Sequence, residues 1–110
     1  MDSYYKPDHL PRFGEIAEGG HELARKFFDW YHAVFEEGAL SAREKTLIAL
    51  AVSHAVQCPY CIDAYSKKAL ENGSDLEQMT EAVHVAAAIR GGASLVHGVQ
   101  MMEHVHEAMM

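Results

Sequence analysis

The sequence holds only two cysteines, three prolines and one tryptophan, and its nine basic residues are outnumbered by sixteen acidic ones. Two cysteines are too few for the disulfide framework that staples a small secreted domain. A formal net charge of -7 with neutral histidines repels a phosphate backbone, so no nucleic acid is expected as a partner. No stretch approaches the roughly 18 uninterrupted apolar residues of a membrane span. The opening Met1-Asp2-Ser3-Tyr4-Tyr5-Lys6 also lacks the basic-then-apolar order of a secretion signal. The expected setting is therefore the cytoplasm, with no membrane partner. Strand alternation, a domain linker and a solenoid-type repeat are missing as well.

What is present suits one folded domain. The 110 residues are 49% hydrophobic and 23% charged, an ordinary globular balance. Residues 1–20 carry Pro7, Pro11, Gly14, Gly19 and Gly20, a density of breakers that predicts an irregular surface arm. The domain proper is expected over 21–110. From His21 to Glu37, Leu23, Phe27, Phe28, Tyr31, Val34 and Phe35 recur at three- and four-residue intervals, one helical face, with Gly38 as the stop.

Ser41-Ala42-Arg43-Glu44 reads as a capping box opening a second helix, which gives Glu44 a structural task. The run Leu47 to Val56 is apolar nearly all round and, with its cap and alanines, favours helix. Pro59 interrupts that helix and suits the first position of the next. The third helix runs to about Glu71, where Asn72-Gly73 supplies a left-handed exit and Ser74-Asp75-Leu76-Glu77 a second capping box. A fourth helix, Leu76 to Ile89, is alanine- and valine-rich and expected to be buried on several sides. Gly91-Gly92 is expected to break or thin it before a last helix from Ser94 to about Glu107. The fold class is all-α.

The chemistry concentrates in Cys58-Pro59-Tyr60-Cys61. A cysteine at a helix start faces unpaired amides and the positive end of the peptide dipoles, which favour its thiolate. A second sulfur three residues on lies on the same face of the first turn, within reach to resolve an oxidised partner. A thioredoxin domain is excluded, because it sets the motif after a parallel strand. Redox activity leads; half of a metal site and an inert buried pair are the other readings. A metal site lacks a second cysteine pair and would have to recruit His97, His104 or His106. His54, four residues before Cys58, is a candidate base for the thiol proton, or else a core histidine bonded to a carbonyl. Abundant apolar surface on a short chain agrees with assembly.

Residues 40–92 resemble the carboxymuconolactone decarboxylase and alkylhydroperoxidase D-like family. The resemblance rests on Leu47-Ile48-Ala49-Leu50-Ala51-Val52 leading into Gln57-Cys58-Pro59-Tyr60-Cys61, then Ala69-Leu70-Glu71-Asn72-Gly73 and Glu81-Ala82-Val83. Tyr4-Tyr5-Lys6-Pro7 and Ala88-Ile89-Arg90-Gly91-Gly92-Ala93 are most similar to the small peroxidase-like members associated with arsenosugar biosynthesis. The resemblance implies a compact helical domain that assembles as homotrimers or homohexamers. It implies a dithiol peroxidase or disulfide oxidoreductase acting on a peroxide or disulfide, restored by a thiol reductant of unknown identity, with no cofactor and no metal.

In that reading Cys61 attacks the peroxide, Cys58 resolves it, and a glutamate and a histidine relay protons. Those two relay positions fall on Thr46 and Tyr65 here, and neither side chain is a base near pH 7. His54 is the candidate replacement, because Thr46, Leu50, His54 and Cys58 form one four-residue row along a continuous helix. Such a relay predicts that His54→Ala raises the thiol pKa. Tyr65 is expected to donate a hydrogen bond or to pack. Two other functions fit the same residues: a lactone or organic-acid decarboxylase, which needs no disulfide, and a non-enzymatic metal or arsenical binder using paired soft thiolates.

Overall fold

The computed structural model describes residues 3–110, and its regular structure among them is entirely helical. A 3-10 helix, Pro7–Gly19, precedes four α-helices: α1 (His21–Val34), α2 (Ala42–Ala55), α3 (Pro59–Glu71) and α4 (Leu76–Ala108). Helix α2 is the hub, packing on α3 along one side and α4 along another, while the 3-10 helix lies on α1 and reaches α3.

The capping box at Ser41 forms as the sequence predicts. The Glu44 amide donates to Ser41 Oγ at 3.0 Å and the Ser41 amide donates to Glu44 Oε1 at 2.9 Å. Accepting from Ser41 holds the Glu44 carboxyl below its ordinary range. Helix α1 ends at Val34, earlier than Gly38, because Lys45 Nζ donates to the Val34 carbonyl at 2.8 Å and also to that of Glu36. A cation on the last carbonyls suits the negative helix end.

Both exits from α2 and α3 use one device. The Gln57 amide donates to the His54 carbonyl and the Cys58 amide to that of Ser53; likewise Gly73 donates to Leu70 and Ser74 to Ala69. These are paired 5→2 and 6→1 bonds around one left-handed residue. Gly73 takes that conformation at φ 85, but Gln57 takes it at φ 56 with a side chain attached. A non-glycine residue there is strained by roughly 1–2 kcal/mol. Gln57→Val, with a β-branched side chain in that region, is therefore expected to cost about 1–2 kcal/mol more, while Gln57→Gly stays neutral or gains slightly. Urea unfolding of the two variants checks the order; a Val variant as stable as the Gly variant would remove the strain argument.

Three expectations are corrected. The second N-cap is Asp75, not Ser74: the Ser74 amide is already committed backwards to Ala69, so Asp75 Oδ1 accepts from Gln78 at 2.8 Å and Gln78 answers as N3. Gly91-Gly92 does not break α4, which continues unbroken for 33 residues. Each glycine costs a helix only about 1 kcal/mol, less than good helix formers on either side can carry. Nor is the alanine- and valine-rich part of α4 buried on several sides within the chain; Ala86 is its one buried residue.

The arm is also not irregular. Pro7 starts the 3-10 helix, and its three-residue turn puts Leu10, Phe13 and Ile16 on one stripe. Phe13 meets Phe27 and Phe28 of α1 edge-on at centroid distances of 6.2 and 4.9 Å. Tyr5 donates to Asp63 Oδ2 at 2.9 Å and packs edge-on against Tyr60, so the arm is tied to the start of α3.

The core of the single chain is small: Leu50, Ala69 and Ala86, with Thr46, Ser53 and Ser74 as buried polar neighbours. The described residues expose 8679 Å², against about 6,100 Å² for a compact monomer of this mass. The radius of gyration is 18.9 Å, against about 13 Å for a compact domain of this length. Much of the difference lies on the far half of α4, where Leu95, Val96, Val99, Met101, Met102 and Val105 are exposed.

Candidate active site

Cys58 is fixed from both directions. As the last residue of the α2 exit its amide donates to Ser53, and as the N-cap of α3 its Sγ accepts from the Cys61 amide at 3.3 Å. Pro59 at the first helical position has no amide to leave unsatisfied there. Both cysteines are free and partly buried. Burial first, then the Cys58 sulfur beside it, pushes the Cys61 thiol up to about 11. Cys58 Sγ, as the helix cap, has the Cys61 amide as its donor.

The sulfurs open onto a cavity of about 290 Å³ whose other walls are His9, Leu10 and Phe13 of the arm, Tyr31 of α1, and Tyr60, Ala64 and Tyr65 of α3. Tyr65 stacks on Phe35 at 5.3 Å, and its hydroxyl hydrogen-bonds that of Tyr31. Burial raises the Tyr31 phenol above its ordinary range, with a further push from Cys61 and then Cys58. Tyr31 and the arm residues were not singled out in the sequence as site residues. Tyr31 fell within an apolar helical stripe, and the usable signal in the arm was the three-residue spacing of Leu10, Phe13 and Ile16.

Of the four expected site residues, Cys58, Cys61 and Tyr65 share this cavity and His54 does not line it. His54 Nδ1 is 2.8 Å from the Leu50 carbonyl, and the ring faces a separate depression with Tyr5, Gln57, Pro59, Ile62 and Asp63. The expected helical row stops short of Cys58, because α2 ends at Ala55 and the chain turns at Gln57. Thr46 is occupied structurally: it donates to the Ala42 carbonyl and accepts from Asn72 Nδ2, both at 2.9 Å. His97, His104 and His106 lie on the far half of α4, and among the described residues no three His, Cys, Asp or Glu side chains gather as a metal site requires. Nor, among those residues, is any helix long and apolar enough to cross a membrane.

Among the described residues an all-helical fold thus presents a free cysteine pair, from a helix start, to a largely apolar cavity. The chain belongs to the carboxymuconolactone decarboxylase family, whose profile matches residues 21–104. It is 43% identical over 91 residues to uncharacterized protein 4 in the cox locus of Paracoccus denitrificans, covering 83% of this chain and 82% of that protein. A crystal structure from Methanobacterium thermoautotrophicum is similar with a TM-score of 0.75 and 37% identity, covering 78% of this chain and 97% of that one. A family member from Legionella pneumophila is similar at 0.69 and 29%, covering 87% and 86%. One from Thermotoga maritima, for which an antioxidative response has been suggested, is similar at 0.65 and 22%, covering 91% and 93%; that likeness carries the fold. The family is what these likenesses carry, not the arsenosugar-associated subgroup.

Proposed function

We propose that this chain is a dithiol peroxidase or thiol–disulfide oxidoreductase that cycles Cys58 and Cys61 between dithiol and disulfide. The observation that carries the reading is the pair itself: two free sulfurs, one capping a helix and the other on its first turn, open together onto one largely apolar cavity. The cavity walls favour an organic hydroperoxide over a small hydrated one.

Cys58 is taken as the attacking sulfur, because as the N-cap of α3 it accepts a hydrogen bond from the Cys61 amide that would stabilise a thiolate there. Cys61 then resolves, the reverse of the order the resemblance implies. A thiol reductant of unknown identity restores the pair. An arsenic-related setting would use the same two sulfurs, since a trivalent arsenical seeks paired soft thiolates.

The exposed apolar half of α4 supports a homotrimer or homohexamer in which copies of this chain cover it. Val99→Asp is expected to shift the protein toward monomer in sedimentation, and an unchanged profile would move the interface elsewhere.

The primary test adds hydrogen peroxide, then an organic hydroperoxide, to prereduced, metal-free protein and follows free thiol by mass spectrometry. Rapid formation of a Cys58 to Cys61 disulfide, faster with the organic oxidant, is the expected result. Absence of oxidation with both would overturn the peroxidase reading and bring forward decarboxylase chemistry or thiol-based ligand binding.

A further inference from the structure

Splitting a hydroperoxide leaves a charge that the proposed dithiol cycle does not itself dispose of. The attacking thiolate forms a bond to the terminal oxygen, and the O–O electron pair departs on the other oxygen as an alkoxide. An alcohol is about as weak an acid as water, so the leaving oxygen needs a proton as the bond breaks. Thr46 is spent between Ala42 and Asn72, and His54 lines a different depression. The proton donors left on the cavity wall are the Cys61 thiol, His9 on the exposed arm, and three tyrosines: Tyr31, Tyr60 and Tyr65.

Tyr31 stands apart among these. Its phenol is partly buried and lies close enough to both sulfurs to feel their charge. Its oxygen is hydrogen-bonded to that of Tyr65. Tyr65 in turn is held by its stack on Phe35, and the Tyr31 ring is gripped between Phe27 at 5.5 Å and Phe35 at 5.3 Å. A phenol carries its proton at neutral pH, and the Tyr31 hydroxyl is the one on this wall that is both held between two rings and bonded to a second hydroxyl.

Building on the peroxidase reading above, we propose that Tyr31 is the general acid that protonates the leaving oxygen, and that Tyr65 is the residue that positions it. Cys58 thiolate attacks, giving a Cys58 sulfenic acid. The departing alkoxide takes the Tyr31 hydroxyl proton and leaves as the alcohol. The phenolate so formed is held by the Tyr65 hydroxyl and regains a proton from water, replacing the one that Cys58 released on ionising. Cys61 sulfur then attacks the sulfenic sulfur, and its thiol proton leaves with the hydroxide as water. The sum is two thiols and one hydroperoxide giving one disulfide, one alcohol and one water.

The test compares full-length wild type, Tyr31→Phe, Tyr65→Phe and His9→Gln, all prereduced, against three oxidants in stopped flow. The oxidants are tert-butyl hydroperoxide, which releases a strongly basic alkoxide, a peroxy acid, which releases a weakly basic carboxylate, and an aromatic disulfide, which needs no acid. Tyr31→Phe is expected to slow the alkyl hydroperoxide about a hundredfold, and the peroxy acid and the disulfide each less than about threefold. Tyr65→Phe is expected to follow the same order with a smaller loss, and any loss in His9→Gln to be equal across the three oxidants. An equal loss with all three oxidants in Tyr31→Phe makes Tyr31 a packing residue and overturns the proposal. So does a Tyr31→Phe protein that behaves as wild type, or the selective loss appearing in His9→Gln instead. Wild type that reacts with the disulfide but with neither peroxide sinks the peroxidase reading, and the assignment of Tyr31 falls with it.

Discussion

Cys58→Ser and Cys61→Ser are each expected to lower hydroperoxide turnover by at least about a thousandfold, since each removes a sulfur that forms a bond in the cycle. The two failures differ in kind. With Cys61 replaced, Cys58 still attacks and stalls as a sulfenic acid, which dimedone traps at close to the wild-type rate of first oxidation. With Cys58 replaced, the remaining thiol loses the push of its neighbour but keeps that of burial, and trapping is slower than in Cys61→Ser. Faster trapping in Cys58→Ser than in Cys61→Ser would restore Cys61 as the attacking sulfur.

The pH dependence has a definite sign. A thiol pushed up to about 11 is almost wholly protonated at pH 7, and its thiolate fraction grows about tenfold per pH unit until that value is reached. Alkylation of the wild-type dithiol should therefore modify Cys58 first and Cys61 only in strongly alkaline solution. His54→Ala should leave this order and the alkylation curve in place, because the ring is bonded to the Leu50 carbonyl and lines a different depression. A curve displaced to higher pH would instead support a relay through His54.

Leu50→Ala is expected to destabilise the fold by about 2–5 kcal/mol, through lost burial and the cavity left behind. Leu50 is 1% exposed and is the one large side chain fully buried among the described residues, at the centre of the helix on which α3 and α4 both pack. Against a total stability of about 5–15 kcal/mol this is a large fraction, worth roughly 10–30 °C in melting temperature. The comparison must hold protein concentration fixed, because assembly adds to stability by mass action. A loss below about 1 kcal/mol would mean that the stabilising core of this protein lies between subunits and not inside α2.

The helical elements were legible to different depths, for identifiable reasons. Ser41 with Glu44 and Pro59 after Cys58 are local devices whose partners lie within four residues, so spacing alone announces them. The cap at Ser74 was misplaced by one residue because a competing bond, Ser74 amide to the Ala69 carbonyl, belongs to the preceding helix's exit. Gly91-Gly92 misled for another reason: glycine lowers helix propensity without forbidding helix. The arm misled because its apolar spacing is three and its prolines invite a reading as loop.

Within the site, the cysteine pair was readable because two sulfurs three apart at a helix start share a face in any fold with that local geometry. The attachment of the arm was not, since it depends on Tyr5 meeting Asp63 across 58 residues. The Tyr31 and Tyr65 hydroxyls likewise meet between helices separated by 34 residues. His54 was drawn toward Cys58 by a helical row that the left-handed turn at Gln57 ends.

The sequence by itself therefore determined the all-helical class, the helix starts and the dithiol, because each of these depends on residues within a turn or two of one another. Only the tertiary structure decided which side chains surround the sulfurs. Tyr31 and the arm enter the cavity through contacts between distant segments, and His54 is kept out of it by the left-handed turn at Gln57.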